Sequence, residues 1–449
     1  MRRVGPAAAA LAVLVVVVAA WHVPAGVLVQ GAIVGSLTSL VALGLALVWR
    51  ANRIINFAAG DLGSVPATLA VLLMISTVAL NWWLALVVGL ATALLVGAAV
   101  EILLVRRFAN SPRLILSVAT IGIAQVLAAA ALLLPRYFAL TGAAVPPPFH
   151  VHVTISPIVF GGTDIVAVVV VPLVLAGLAY FLRRSDVGIA IRAGAERADR
   201  AASLGIPVRR LHTVVWVLAT VLAFLAVFLR AGIVGLPIGQ VLGPAILLRA
   251  LAAAVIGRME RLPTVVGAAI TLGIVEQAVV WHWHEAAYVD PVLFVVVVVG
   301  LLVTGGTTTG RVREDEVSSW QAAREVRPIP QVLRQVPEVR ASQVVVFGAV
   351  AAVLLAVPVA LPASKLNLAA AILIFGIIGC SLVVLTGWAG QVSLGQMAFV
   401  GIGAAVSGAI TARLGWDLSF GLVLAGAVGA VLAVLIGRAD TEKQSPSAV

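Results

Sequence analysis

Charge is scarce in this sequence. Of its 449 residues only 10% are Asp, Glu, Lys or Arg, whereas a soluble domain carries roughly a quarter, so most of the chain must meet lipid rather than water. Cysteine is scarcer: Cys380 stands alone inside an apolar run, which excludes an intramolecular disulfide and a multi-cysteine metal site. A nucleotide-binding loop is lacking as well. The nearest glycine run, Gly305-Gly306-Thr307-Thr308-Thr309-Gly310-Arg311, has arginine where a phosphate-binding loop needs lysine followed by serine or threonine. No HExxH pattern is present, nor any serine or cysteine nucleophile with a nearby base, which counts against a membrane-embedded enzyme. The chain is therefore expected to carry no cofactor of its own, and its energy must come from a partner or an ion gradient.

What is abundant is apolar length. Hydrophobic residues make up 62% of the chain and its mean hydropathy is +1.16. No charged residue occurs in Leu114–Leu134, Ile165–Leu182 or Leu418–Gly437, and each fits one crossing, which takes about 20 residues. Val4–Trp49 and Asn367–Ala412 are too long for one crossing and must fold back, the first at His22-Val23-Pro24-Ala25-Gly26 and the second between Gly387 and Gly395. The expected fold is all-α, a polytopic transmembrane helical bundle of about 14 transmembrane or re-entrant helices. They are placed near Ala7–Val23, Val27–Trp49, Leu62–Leu80, Val87–Val105, Leu114–Leu134, Ile165–Leu182, Leu211–Leu229, Gly243–Gly257, Leu262–Val280 and Pro291–Thr304, then Val344–Leu361, Leu368–Thr386, Gln396–Ala412 and Leu418–Gly437. Gly243–Gly257 and Pro291–Thr304 are short enough to be tilted, broken or re-entrant. Met1-Arg2-Arg3 before an apolar run has the look of a signal peptide, but Trp21-His22-Val23-Pro24 makes a poor cleavage site, so the first helix is expected to be retained.

The basic residues orient these helices. With a cytoplasmic N-terminus and alternating sides, all of the 29 fall inside except Arg136, Arg230, Lys365 and Arg413, which fall outside, and Arg249, which lies within a helix. That is the asymmetry of the positive-inside rule, so a multi-pass protein of the inner cell membrane with both termini cytoplasmic is expected. The net charge of +11 then reflects cytoplasmic loops facing membrane lipid, and nucleic acid is not expected as a partner.

One polar stretch, 305–343, holds Pro328, Pro330 and Pro337 and mixes arginines with acids. It reads as a solvated cytoplasmic linker between residues 1–304 and residues 344–437, with 438–449 as a polar tail. The two units echo each other. A constant offset brings Leu45-Ala46-Leu47-Val48 onto Leu382-Val383-Val384-Leu385, and Asn56-Phe57-Ala58-Ala59 onto Ser393-Leu394-Gly395-Gln396. Repeated halves are frequent in transporters, with the substrate path between them, although Ala/Val/Gly-rich helices also produce such echoes by chance.

These segments resemble the branched-chain amino acid ABC permeases of the high-affinity type. Arg53-Ile54-Ile55-Asn56-Phe57-Ala58-Ala59-Gly60-Asp61, preceded by Leu43-Gly44-Leu45, is similar to the hallmark of the first permease subunit. Gly387-Trp388-Ala389-Gly390-Gln391-Val392-Ser393-Leu394-Gly395-Gln396, continued by Ala398 to Ala404, is similar to that of the second. The resemblance covers Val27–Thr304 loosely and Asn367–Gly437 more closely, so the chain reads as a fusion of both subunit types. The family usually has His where Ala59 and Gln396 stand, and Glu where Asp61 stands. It also implies further helices and a second coupling loop after residue 437, leaving two expectations: another permease chain completes the second unit, or the fusion is truncated and inactive.

The resemblance assigns roles. The Arg183–Arg210 segment holds seven arginines and three acids, and Ala195 to Ile206 reads as a short helix ended by Gly205, since glycine accepts the left-handed conformation of a helix terminus. By similarity this is the coupling loop that docks on ATP-binding cassette subunits, which use the ATP, with Glu196, Asp199, Ala201, Gly205, Arg209 and Arg210 as its working residues. A solute-binding protein, extracellular or periplasmic, is the other partner implied, and the substrates implied are branched-chain amino acids or related small solutes such as amides and urea. Asn56, Asp61, Gln391, Ser393 and Gln396 stand at the two hallmark breaks and are candidates for the translocation path, with helix capping or interhelical hydrogen bonding as the plainer role. Burying charge in lipid costs at least about 2.5–3.5 kcal/mol at a helix centre, which singles out Glu101, Arg249 and Glu276. Glu276 is the further path candidate, and Arg249 is equally suited to a structural ion pair. His150, His152, His282 and His284 all fall outside; interfacial side chains beside helix ends are expected there rather than metal ligands. The rival reading is an ion-coupled secondary transporter.

Overall fold

The computed structural model describes residues 21–108, 111, 113–138, 145–196, 198–235, 243–304, 336–385 and 395–441. The chain forms two compact units, Met1–Ser319 and Trp320–Val449. Among the described residues eight helices are long and apolar enough to cross a membrane, which makes this an all-α multi-pass membrane protein. Shorter apolar helices accompany them. Every expected segment after the first has its helix; most of Ala7–Val23 lies outside the described residues, as does 305–335 of the expected linker.

In the first unit α1 (Ala25–Asn52) is followed by a non-helical break, α2 (Ser64–Ile75), α3 (Trp82–Ala99) and α4 (Arg113–Tyr137). A two-stranded hairpin comes next, β1 (Val153–Ile155) with β2 (Ile158–Phe160), and then α5 (Gly162–Arg184). Two short helices, α6 (Asp186–Glu196) and α7 (Ala198–Ser203), lead to α8 (Val208–Val234). The unit ends with α9 (Gly243–Ile256), α10 (Leu262–Trp283) and α11 (Val289–Thr304).

The central helix is α1. It carries no charge before Arg50 and is apolar all round, the signature of a helix surrounded by other helices. Leu37, Leu40, Leu45 and Leu47 are buried accordingly. Small residues on α1 decide who touches it. A Cβ on Gly31 would lie 2.6 Å from Ile274 Cα, and one on Gly35 would lie 2.6 Å from the carbonyl oxygen of Ala269. So α10 runs antiparallel along the Gly31/Gly35 face, with Gly273 packed on the backbone of Gly35. In lipid, such close backbone approach replaces the hydrophobic drive that water would supply. The G35V variant should therefore force the two helices apart and lose about 1–3 kcal/mol; an unchanged unfolding profile in detergent would refute this packing.

On its other side α1 meets α8 at Gly44 and Ala219. Phe224 and Phe228 of α8 stack at 5.4 Å, Trp82 of α3 lies 5.2 Å from Phe228, and Gly89 of α3 leaves room for the Phe224 ring. The outer helices turn large apolar side chains outward: Leu95, Val126 and Leu173 are 71%, 67% and 65% exposed. A soluble protein does not carry so broad an apolar surface, and lipid is its natural cover.

Three local features depart from expectation. Helix formation after the break starts at Ser64 and stops at Ile75, inside the expected Leu62–Leu80. The arginine-rich segment holds two helices, α6 and α7, where one short helix was expected. The β1–β2 hairpin was not anticipated, because strands of three residues are too short to show an alternating pattern.

In the second unit α12 (Pro337–Ala360), α13 (Ala363–Val383), α14 (Gln396–Leu414) and α15 (Leu418–Thr441) follow one another. The close approach of α14 and α15 is set by Gly421, whose absent Cβ would fall 2.8 Å from Ser407 Oγ. Asp417 accepts the Ser419 N–H at 2.8 Å, a bond that holds its carboxyl below the ordinary range.

Candidate functional site

The first hallmark is a structured break. α1 ends when Arg53 takes a left-handed conformation at φ 54 and its N–H donates to Trp49 O at 2.8 Å. Beyond it the backbone makes turns rather than helix. Asn56 is fully buried, and its Oδ1 accepts the Ala58 N–H at 3.0 Å, an Asx turn that competes with helix. Asn56 Nδ2 has no partner among the described residues. The Phe57 N–H donates to Thr120 Oγ1 of α4 at 3.0 Å. Asp61 is 4% exposed, and its N–H closes a turn on Ala58 O at 3.0 Å. Ser64 Oγ then donates to Gly60 O at 3.2 Å as α2 begins.

Three glycines let this break sink into the bundle. Gly60 packs on the carbonyl of Gly243, Gly63 on the backbone of Ala223, and Gly243 against the Asp61 carboxylate, each so closely that no Cβ fits. The carboxylate thus meets α9 at that helix's first residue, where unpaired N–H groups and the helix dipole favour negative charge. Irregular backbone at membrane depth is tolerated only when protein or a water-filled path surrounds it.

The arginine-rich segment lies at the other end of the break. Arg53 NH2 donates to Ala195 O, near the end of α6, at 3.0 Å. Arg53 NH1 lies 3.9 Å from Glu260 Oε1 in the α9–α10 turn. Glu196, Arg209 and Arg210 are exposed and Ala201 is buried; Asp199 stands within α7, its side chain outside the described set. Gly205 ends α7 at φ 82. Its N–H donates to Ala202 O at 3.0 Å, and the Ile206 N–H to Ala201 O at 3.1 Å, the paired bonds of a Schellman terminus.

Glu276 sits apart from the break. Its Oε2 lies 2.9 Å from Arg249 Nε, with both side chains largely buried, and Arg249 NH2 is 3.8 Å from Asp290 Oδ1. The Nε–H is not aimed at the carboxylate, so charge rather than an aligned hydrogen bond makes this contact. Arg230 of α8 lies within electrostatic range of both Glu276 and Arg249. Glu101 is held differently. Arg106 NH2 reaches its Oε2 at 2.9 Å, Thr213 Oγ1 donates to the same oxygen at 2.8 Å, and a π-helical turn at Val100–Leu104 sets it there.

Of the second hallmark, Gln391 and Ser393 lie outside the described residues. Gln396 opens α14, and its Nε2 donates to Ser381 Oγ of α13 at 2.7 Å. In the last turn of α10, His282 stacks on Trp21 at 4.9 Å and packs edge-on with Trp283, an aromatic arrangement common at membrane surfaces. Among the described residues no group of three or more His, Cys, Asp or Glu side chains gathers.

The structure therefore joins Asn56, Asp61 and the arginine-rich segment through Arg53, while Glu276 belongs to a separate charge cluster. Three contributors carried no assigned role in the sequence. Arg53 stood in the hallmark, but its carbonyl partner is 142 residues away. Thr120 lay hidden in an uncharged run, and Gly243 among many glycines.

Comparison with known proteins places the sequence in a family. The family model described as branched-chain amino acid transport system / permease component matches residues 27–304. The high-affinity branched-chain amino acid transport system permease protein LivH of Escherichia coli K12 is 26% identical over 307 residues, 64% of this chain and 96% of that protein. BraD, the corresponding permease protein of Pseudomonas aeruginosa, is 28% identical over 261 residues, 56% of this chain and 84% of its own. A solved structure, PsaBC from Streptococcus pneumoniae in complex with Fab, overlays with a TM-score of 0.39 at 14% identity, covering 64% of this chain and 93% of that one; nothing is carried over from it. The match to residues 27–304 takes in more than half of the chain and contains both the break and the arginine-rich segment, and the protein belongs to the branched-chain amino acid transport system permease family.

Proposed function

We propose that this chain is the membrane-spanning permease of an ABC importer, carrying branched-chain amino acids or related small solutes such as amides or urea inward across the cytoplasmic membrane. ATP-binding cassette subunits supply the energy and an extracellular or periplasmic solute-binding protein delivers the substrate. Both termini are cytoplasmic in this reading, and α6–α7 is the face on which the ATPase docks. The observation that carries it is the direct bond from the hallmark break to α6, Arg53 to Ala195 O at 3.0 Å, in a chain of this permease family. Asn56 and Asp61 line the path through the first unit, and Glu276 guards it from a separate position. An aliphatic substrate suits apolar walls, and a buried carboxylate such as Asp61 suits an α-ammonium group.

Purification of the tagged chain from its native membranes in mild detergent tests this. An ATP-binding cassette subunit should come with it. The G205V variant imposes a left-handed conformation on a β-branched residue, at a cost of roughly 1–2 kcal/mol, and R209E/R210E reverses the charge of the exposed face; each should lose most of that subunit. Recovery of the chain alone, with uptake driven by an ion gradient, would establish a secondary carrier instead. Recovery alone with no uptake would identify an inactive fusion.

A further inference from the structure

The geometry points to Arg53 as the positioning residue that carries movement of the docking helix α6 into the hallmark break. The inference rests on the importer reading above and adds a specific transmitting contact to it. The last carbonyls of a helix have no intrahelical partner, and Ala195 O is one of these in α6. Arg53 NH2 donates to it at 3.0 Å, so a cation of the hallmark caps the C-terminus of the docking helix, where positive charge is favoured. Ala195 itself is buried, and the bond to it is part-buried.

A second tie lies one residue earlier. Asn52 Nδ2 is 3.4 Å from His212 Nδ1, near the start of α8, where the chain leaves the docking segment. Residues 52 and 53 thus grip that segment on both sides. On the other side of Arg53 the chain runs without slack: Ile54 and Asn56 are buried, Phe57 is bonded to Thr120, and Gly60 and Gly63 are wedged against α9 and α8. A displacement of α6 that keeps the Ala195 bond must pull Arg53, and a break so tightly held must shift as a body. Arg50, Arg192, Glu196 and Glu260 surround the same junction, a charged plate in which Arg53 is bonded to the α6 backbone.

The test uses the full-length chain with its co-purified ATPase subunit in proteoliposomes, reading radiolabelled leucine uptake and ATP hydrolysis on the same preparation. Glycine accepts a positive φ without steric cost, so R53G keeps the turn while removing the side chain that bonds Ala195. The expected result is a fall of about tenfold in leucine moved per ATP hydrolysed, a change within the span seen for coupling residues, with the ATPase subunit still bound and hydrolysis maintained. Leucine moved per ATP equal to the parent's would overturn the proposal. So would joint loss of the subunit and of hydrolysis, which would make Arg53 part of the docking surface. Should R53G fail to reach the membrane, R53M serves: it keeps an unbranched side chain but has no donor for the Ala195 carbonyl, so a reduced ratio supports the transmitting role and an unchanged ratio refutes it. A parent chain that binds no ATPase subunit would bring down the importer reading itself, an outcome separate from any effect of Arg53.

Discussion

The E276Q variant is expected to lose about 3–5 kcal/mol of stability, the cost of leaving one member of a buried ion pair uncompensated. Glu276 lies 2.9 Å from Arg249, and the side chains are only 9% and 18% exposed. With the carboxylate neutralised, the counter-charge left beside Arg249 among the described residues is Asp290, 3.8 Å away and largely exposed, with a neutral bond from its NH1 to Ala245 O at 3.2 Å, while Arg230 still presses its like charge upon the same place. Loss of the pair's charge balance, rather than of one hydrogen bond, is what makes the effect large. The matched double variant R249M/E276L removes both charges and fills similar volume, so its stability should return to near that of the parent. Thermal unfolding in detergent separates the cases, and a double variant as unstable as E276Q would show that the pair is not the source. Leucine uptake by the stable double variant adds a functional answer: restored uptake makes the pair purely structural, and absent uptake places Glu276 on the path.

Replacing Gly243 with alanine should cost less stability but damage uptake as much, although it adds one methyl group. That methyl would occupy the position of the Asp61 carboxylate. Neither side has an easy retreat. Gly60 rests on the Gly243 carbonyl and Gly63 on the Ala223 backbone, so the break cannot move sideways without disturbing α8. Overpacking a site so confined costs about 1–3 kcal/mol, and the displaced Asp61 should abolish uptake even where the protein still folds. The D61G/G243A combination provides the missing room. It should regain the unfolding midpoint of the parent while remaining unable to transport. A single G243A variant with parental stability and uptake would mean that Asp61 and the start of α9 do not meet in this way.

Both predictions rest on contacts that local reading does not supply. Arg249 and Glu276 were visible as costly charges within apolar helices, yet nothing in their spacing paired them. The glycine at 205 was different. A helix terminus needs a left-handed residue within one or two positions, so the need and its answer lie side by side, and Gly205 takes φ 82 as expected. The break itself was only half legible. Its hallmark residues stood out by resemblance, but α2 starts as late as Ser64 because Thr120 and the glycines at 60, 63 and 243 hold residues 53–63 out of the helix. Those partners come from α4, α8 and α9. The hairpin at Val153–Phe160 escaped notice for the opposite reason, having too few residues to set a period.

By itself the sequence determined that this chain crosses a membrane many times, where nearly all of its helices run, and which permease family its first unit resembles. Each of those depends on one segment at a time: the solvation energy of about 20 apolar residues settles whether that stretch spans, and a hallmark is a local string. The tertiary structure alone decided that Arg53 reaches Ala195, that Glu276 meets Arg249, and that Asp61 lies against the first residue of α9. A helix that is apolar on every side carries no periodic stripe to say which face meets which neighbour. In such a bundle the choice falls to the fit of small residues such as Gly31, Gly35 and Gly243, and that fit exists only once the helices have come together.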